Sequence, residues 1–101
     1  MARLEWSESA LSGLETLVLS HHLPRDSRAR VEESARPLAR FPRFGPAIRT
    51  LAEGEELRFL VGPWPWLLIV YLYSEPEDRV VVVSIEDGRA ATSSLSRPSK
   101  R

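Results

Sequence analysis

Polar and apolar positions change their spacing twice along this chain, and the changes separate a short strand, a helical half and a sheet. Ala2, Leu4 and Trp6 alternate with Arg3 and Glu5, the period of two that marks a short amphipathic strand. From Ala10 the interval lengthens, and Ala10, Leu11, Leu14, Leu17 and Val18 recur at helical spacing. Ser7 is placed to cap that helix and Glu8 to complement its first turn, so the spacing predicts a helix from about Glu8 to about Ser20. Leu23-Pro24-Arg25-Asp26 interrupts the pattern, and either Pro24 or Asp26 is suited to open a second helix. Its apolar stripe is Val31, Ala35, Leu38 and Phe41, with Pro37 inside it. A proline in a helix interior removes a hydrogen bond at a cost of ~3 kcal/mol, so a kink or a new helical segment is expected near Arg36.

Pro42, Gly45 and Pro46 close the helical half, and residues 42–55 read as a connecting loop with a short ordered piece around Ile48 to Leu51. Three strands are then predicted at about 56–61, 66–73 and 79–85. The links between them, one holding Gly62, Pro63 and Pro65 and the other Ser74-Glu75-Pro76-Glu77-Asp78, are of hairpin length, so the strands pair antiparallel in chain order. In the middle strand Trp66, Leu68, Val70 and Leu72 alternate with Leu67, Ile69, Tyr71 and Tyr73. Both faces are therefore apolar, as expected if helices cover one side and a partner or the C-terminal segment covers the other. The expected fold is α+β, in the order β-α-α-β-β-β, with a two-helix hairpin packed on one face of a three-stranded antiparallel meander. Residues 1–94 form one domain in this reading, and 95–101 a disordered basic tail.

Composition changes the picture in three places. The chain has 101 residues, enough for one domain, and no cysteine, which removes disulfides, thiolate zinc sites and cysteine nucleophiles. No cofactor or metal is expected. The start of the chain lacks the apolar core of a signal peptide and no apolar run is long enough to span a bilayer, so a cytoplasmic location is expected. Formal charge is zero, but seven arginines lie between Pro24 and Thr50 against Asp26, Glu32 and Glu33, and every charged residue after Gly88 is basic. Thirteen of the fourteen cations are arginine, which suits planar recognition of phosphate or carboxylate; a GC-rich coding sequence gives the same bias.

Several phrases, in this order, resemble the RelE/ParE toxin superfamily of bacterial type II toxin–antitoxin systems. They are Trp6-Ser7-Glu8-Ser9-Ala10-Leu11-Ser12-Gly13-Leu14-Glu15, Leu38-Ala39-Arg40-Phe41-Pro42-Arg43-Phe44-Gly45 and Leu57-Arg58-Phe59-Leu60-Val61-Gly62, followed by a strand reaching Tyr71 and a last strand running into Gly88-Arg89. The resemblance covers nearly all of residues 2–93. It implies a growth-inhibiting toxin of the kind associated with plasmid stabilisation, neutralised by a cognate antitoxin protein.

The two branches of that superfamily imply different chemistry. RNA cleavage through the 2′-hydroxyl needs a base, cations for the phosphate and an acid for the leaving oxygen. In the nuclease branch, which acts on messenger RNA alone or on the ribosome, Arg58 and Arg89 match two of the expected cations. A third cation falls at Leu68, a histidine at Glu86 and a late tyrosine near Leu95, so the usual proton-transfer groups are absent. Glu86 is the remaining candidate base, and Arg58, Arg89 and Glu86 form the catalytic set if the chain is a nuclease. His21 and His22 read as cap or surface residues away from that set, and Tyr71 as a core residue. The ParE-like branch fits better, because its members need no acid/base pair and act by binding DNA gyrase. Under that reading Arg58 and Arg89 supply charge to a partner, and Trp64, in Trp64-Pro65-Trp66, is the candidate exposed contact, with Trp66 in the core.

Overall fold

The computed structural model of the chain describes residues 1–89. The expectations for Leu95 and for the 95–101 tail lie outside those residues. The elements are β1 (Arg3–Trp6), α1 (Glu8–Ser20), α2 (Ser27–Ala35), a 3-10 segment (Arg36–Ala39), β2 (Ala47–Ala52), β3 (Glu55–Val61), β4 (Leu67–Ser74) and β5 (Arg79–Asp87).

Local chemistry accounts for the helix ends. Ser7 Oγ accepts the Ala10 amide at 3.0 Å, closing the N-terminus of α1. At the other end His22 takes a left-handed φ of 52°, while the Leu23 amide reaches the Val18 carbonyl and the His22 amide reaches that of Leu19. This pair of reverse bonds satisfies carbonyls that the helix leaves open. The expected break at Pro37 takes the second of its two forms: α2 stops at Ala35, and Pro37 sits in the opening turn of the 3-10 segment, where its missing N–H removes no helical bond.

The sheet has five strands in the order β1-β5-β4-β3-β2. The three-stranded meander β3-β4-β5 is antiparallel, as the hairpin-length links require, and β1 lies parallel to β5 on the far side. The helices cover one face, which carries Leu67, Ile69, Tyr71 and Tyr73 of β4 and Val80, Val82 and Ile85 of β5. Ala10 and Leu14 of α1, Val31 and Ala35 of α2, and Leu38 complete the core. Gly13 brings α1 close to β5, since a Cβ there would meet the Ile85 carbonyl oxygen at 3.4 Å. Opposite Val70 and Tyr71, β5 carries one extra residue, Val83. That bulge shifts the phase of the strand, so Val82 and Ile85 both face the core although three residues apart.

Two features depart from the sequence reading. Residues 47–52, expected to lie within a loop holding a short ordered piece around Ile48 to Leu51, form a full strand, β2, at the edge of the sheet and paired with β3. All six of its residues are exposed and two register irregularities interrupt its pairing, so it shows neither burial nor clean alternation. The parallel pairing of β1 with β5 makes the sheet mixed, and it links residues 76 positions apart, as in the register Arg3↔Arg79.

Candidate binding face

The face of the sheet opposite the helices is apolar and uncovered among the described residues. Register places Leu57, Phe59 and Val61 of β3 opposite Leu72, Val70 and Leu68 of β4, with Val81 of β5 beside Leu72. These side chains are half-buried by one another, except Val61, which is 49% exposed. Ser84 and Glu86 edge the face on β5, opposite Val70 and Leu68, and the Ser84 hydroxyl donates to the Glu86 carboxylate at 2.9 Å. An array of β-branched and aromatic side chains held by sheet hydrogen bonds is already ordered, so a partner docking on it loses little conformational freedom at the surface.

Next to this face, where β5 ends, is a cluster of aromatic and charged groups. Arg89 makes a two-pronged bond to Asp87, Nε to Oδ1 at 3.1 Å and the terminal nitrogen to Oδ2 at 2.9 Å, and its guanidinium carbon lies 5.4 Å from the centre of the Trp66 ring. That guanidinium bond holds the Asp87 carboxyl below its ordinary value of 3.8. His21, at the C-terminus of α1, stacks on Trp66 at 4.5 Å and brings Nε2 to 3.4 Å from Asp87 Oδ2. Pro65, Trp66, Leu68, Gly88 and Arg89 enclose a shallow depression of about 550 Å³ continuous with the open face through Leu68. Trp64 does not project from the β3–β4 hairpin: it is half-buried against the core, 6.1 Å from Trp66 and with Arg30 of α2 over its ring at 5.6 Å. Trp66, expected in the core, is likewise half-buried against it.

The other arginine singled out from the sequence is in a different setting. Arg58 pairs with Tyr71, on the helix-bearing side of the sheet, and its side chain is only 13% exposed. Nε donates to Glu56 at 2.8 Å, and NH1 donates to the carbonyls of Gly45 at 2.5 Å and Arg43 at 3.3 Å. Tyr71, fully buried, accepts the Gly45 amide at 3.0 Å and donates to the Pro42 carbonyl at 2.8 Å. Burial raises the phenol's pKa, outweighing the Gly45 bond and the nearby Arg58 charge. Arg58 and Tyr71 together fasten residues 42–45 to the sheet. Glu56 is held below its ordinary value of 4.5, chiefly by the Arg58 bond, with Arg43 as a second cation at 3.3 Å.

The three residues proposed from sequence as a catalytic set therefore do not converge. Arg58 is opposite Tyr71 and Glu86 opposite Leu68, and positions three apart on one strand point to opposite faces. Arg89 engages Asp87 instead of Glu86. His21, read from sequence as remote from the site, instead lies 3.4 Å from Asp87, the carboxylate partner of Arg89. Its contact with Asp87 spans 66 positions and follows from the course of α1 along β5, which no local pattern reveals. Among the described residues no group of three or more histidine and acidic side chains is arranged to hold a metal, and no helix is long and apolar enough to cross a membrane.

Compared with known proteins, the chain matches no family model, and curated protein sequences give no match. Solved structures do match. A chain of the archaeal RelE-RelB complex from Pyrococcus horikoshii OT3 superposes with a TM-score of 0.62 at 12% identity, covering 86% of this chain and 94% of the other. A chain of the chromosomal ParDE TA system from P. aeruginosa gives 0.61 at 15% identity, covering 86% and 96%. The chain has the RelE/ParE fold. Within that fold, the helix hairpin and the meander are the parts anticipated by the sequence resemblance, and the open face is the side of the RelE/ParE sheet that the hairpin leaves bare.

Proposed function

We propose that this chain is the toxin component of a toxin–antitoxin pair and that it acts by binding a macromolecule across the open face of its sheet. The observation that carries the reading is the pairing of an ordered apolar face with a candidate catalytic set split between two sides of the sheet. Likeness to chains of RelE-RelB and ParDE assemblies supports a partner of the antitoxin kind. The antitoxin lies along the apolar face as an extended or helical segment and blocks it. Arg89, 66% exposed and carried beside that face, supplies charge to the target or to an acidic part of the antitoxin, and Arg58 acts indirectly by holding residues 42–45. The ParE-like resemblance makes DNA gyrase the target to test first.

Induced expression in bacteria tests this directly. Growth should stop with a DNA-damage response while messenger RNA stays at full length, and Val70→Lys, in the middle of the open face, should abolish the arrest. Shortened messenger RNA that depends on Arg89 would overturn the binding reading in favour of a ribonuclease on messenger RNA or the ribosome. Normal growth with folded protein would leave a non-toxic module of the same fold.

A further inference from the structure

The outer edge of β2 is an open strand edge. β2 is last in the sheet order, all of Ala47–Ala52 is exposed, and no described element lies beside it. An open edge presents unpaired amides and carbonyls, and proteins commonly blunt it with proline, inward charge or a covering segment. Here the strand contains no proline, and its one charged residue is Arg49. Ile48 and Leu51 are exposed by 38% and 47%. The two irregularities against β3 twist the edge without covering it.

Charge along this edge runs from positive to negative: Arg49 lies within the strand, and Glu53 and Glu55 follow in the β2–β3 hairpin, while Arg43, before the strand, is already paired with Glu56 and Glu75. The chain's own residues 90–101 carry Arg97, Lys100 and Arg101 and no carboxylate, so laid here they would set cations against Arg49. An acidic extended peptide would suit Arg49 and meet Glu53 and Glu55. A second copy running antiparallel brings Arg49 of each strand toward Glu53 of the other.

We propose that two copies pair antiparallel through β2 about a two-fold axis at Thr50, giving one continuous sheet with five strands from each copy. A two-fold axis normal to a sheet leaves each face on its own side, so it must pass between a residue and its counterpart. An axis at Arg49 opposes two guanidiniums. An axis at Leu51 leaves only residues 50–52 of the strand overlapped. At Thr50 the overlap is residues 48–52, threonine faces threonine, Arg49 lies opposite Leu51, and Arg49 is diagonal to Glu53 of the second copy. The pairing is isologous and closes on itself, so it ends at a dimer.

The absence of cysteine makes the register testable, because Thr50→Cys gives the chain a single thiol on the axis. Sedimentation of the whole chain at tens of micromolar should show a dimer. Mild oxidation should convert Thr50→Cys to a covalent dimer about tenfold faster than Thr16→Cys, a matched change on the exposed side of α1. Arg49→Glu should weaken the dimer about five- to tenfold, and adding Glu53→Arg should restore it. A monomer at about 100 micromolar would overturn the proposal and leave the edge to the chain's own tail or to an acidic peptide. So would a dimer in which the two cysteine variants cross-link equally. Either result is independent of whether the chain arrests growth.

Discussion

Arg58 stands in the middle of β3 and Arg89 just beyond the end of β5, and the molecule uses them in opposite ways. The Arg58 side chain is 13% exposed and donates to one carboxylate and two loop carbonyls; Arg89 is 66% exposed and is held by a carboxylate two residues away and the face of a tryptophan. A partly buried guanidinium that satisfies backbone carbonyls is part of the scaffold, since its removal strands those groups. An exposed guanidinium in a local ion pair contributes little to stability and is free to exchange its carboxylate for another anion. Residue type is the same for both, so burial and partners are what assign the roles.

The contrast is sharpest where the contacts around Arg58 are broken. Gly45→Ala should be the most damaging single change, because a Cβ there collides with the Phe59 carbonyl, and overpacking against backbone should cost about 3 kcal/mol or more in urea denaturation. Tyr71→Phe leaves the Gly45 amide and Pro42 carbonyl unpaired in a buried place, at about 2 kcal/mol by the same measurement. Arg58→Ala should cost roughly 1–2 kcal/mol and loosen residues 42–45, read as faster amide exchange at Gly45. Beyond β5, Arg89→Ala should leave the urea denaturation midpoint essentially unchanged while weakening target binding and the growth phenotype. If Arg89→Ala unfolds the protein and Arg58→Ala does not, the assignment of roles is reversed.

Acid provides a milder probe of the same network. Glu56 has a folded-state pKa below its ordinary 4.5, so its pairing contributes stability that is complete above that value and is lost as pH falls through the lower folded value. A Glu56→Gln variant should therefore be less stable than the parent at neutral pH and approach it as pH falls below 4.5. Asp87 is depressed in the same sense by Arg89, but that guanidinium is 66% exposed where that of Arg58 is 13% exposed, so Asp87→Asn should flatten the acid limb less than Glu56→Gln.

Much of the scaffold was legible from the chain. Ser7 as a cap, the stop before Pro37 and the three strands of the meander all follow from local rules, and they lie where those rules put them. Ala47–Ala52 escaped because a strand exposed on every residue, with two irregularities in its pairing, leaves no period of two to read. The run Val80-Val81-Val82-Val83 gave no phase for a different reason: every position is apolar, so the bulge at Val83 makes no mark in the sequence. The site was harder to read than the fold. Which face Arg58 occupies depends on its register with Tyr71 and on the return of residues 42–45, and the approach of His21 to Asp87 depends on two distant elements being laid side by side. Trp64 looked like an exposed contact because proline and glycine surround it, but its ring has apolar surface and Arg30 to pack against.

The parallel pairing of β1 with β5 has a consequence for how the protein is made. Among the described residues, the strand nearest the start of the chain has one sheet partner, the last strand, Arg79–Asp87. During synthesis the helical hairpin therefore emerges with its apolar stripe facing no sheet, and β1 waits until more than seventy further residues have left the ribosome. Folding is completed late, so a nascent chain interrupted before β5 has the β3–β4 part of the open face but lacks Val81, the strand on which α1 packs, and Arg89 beyond it.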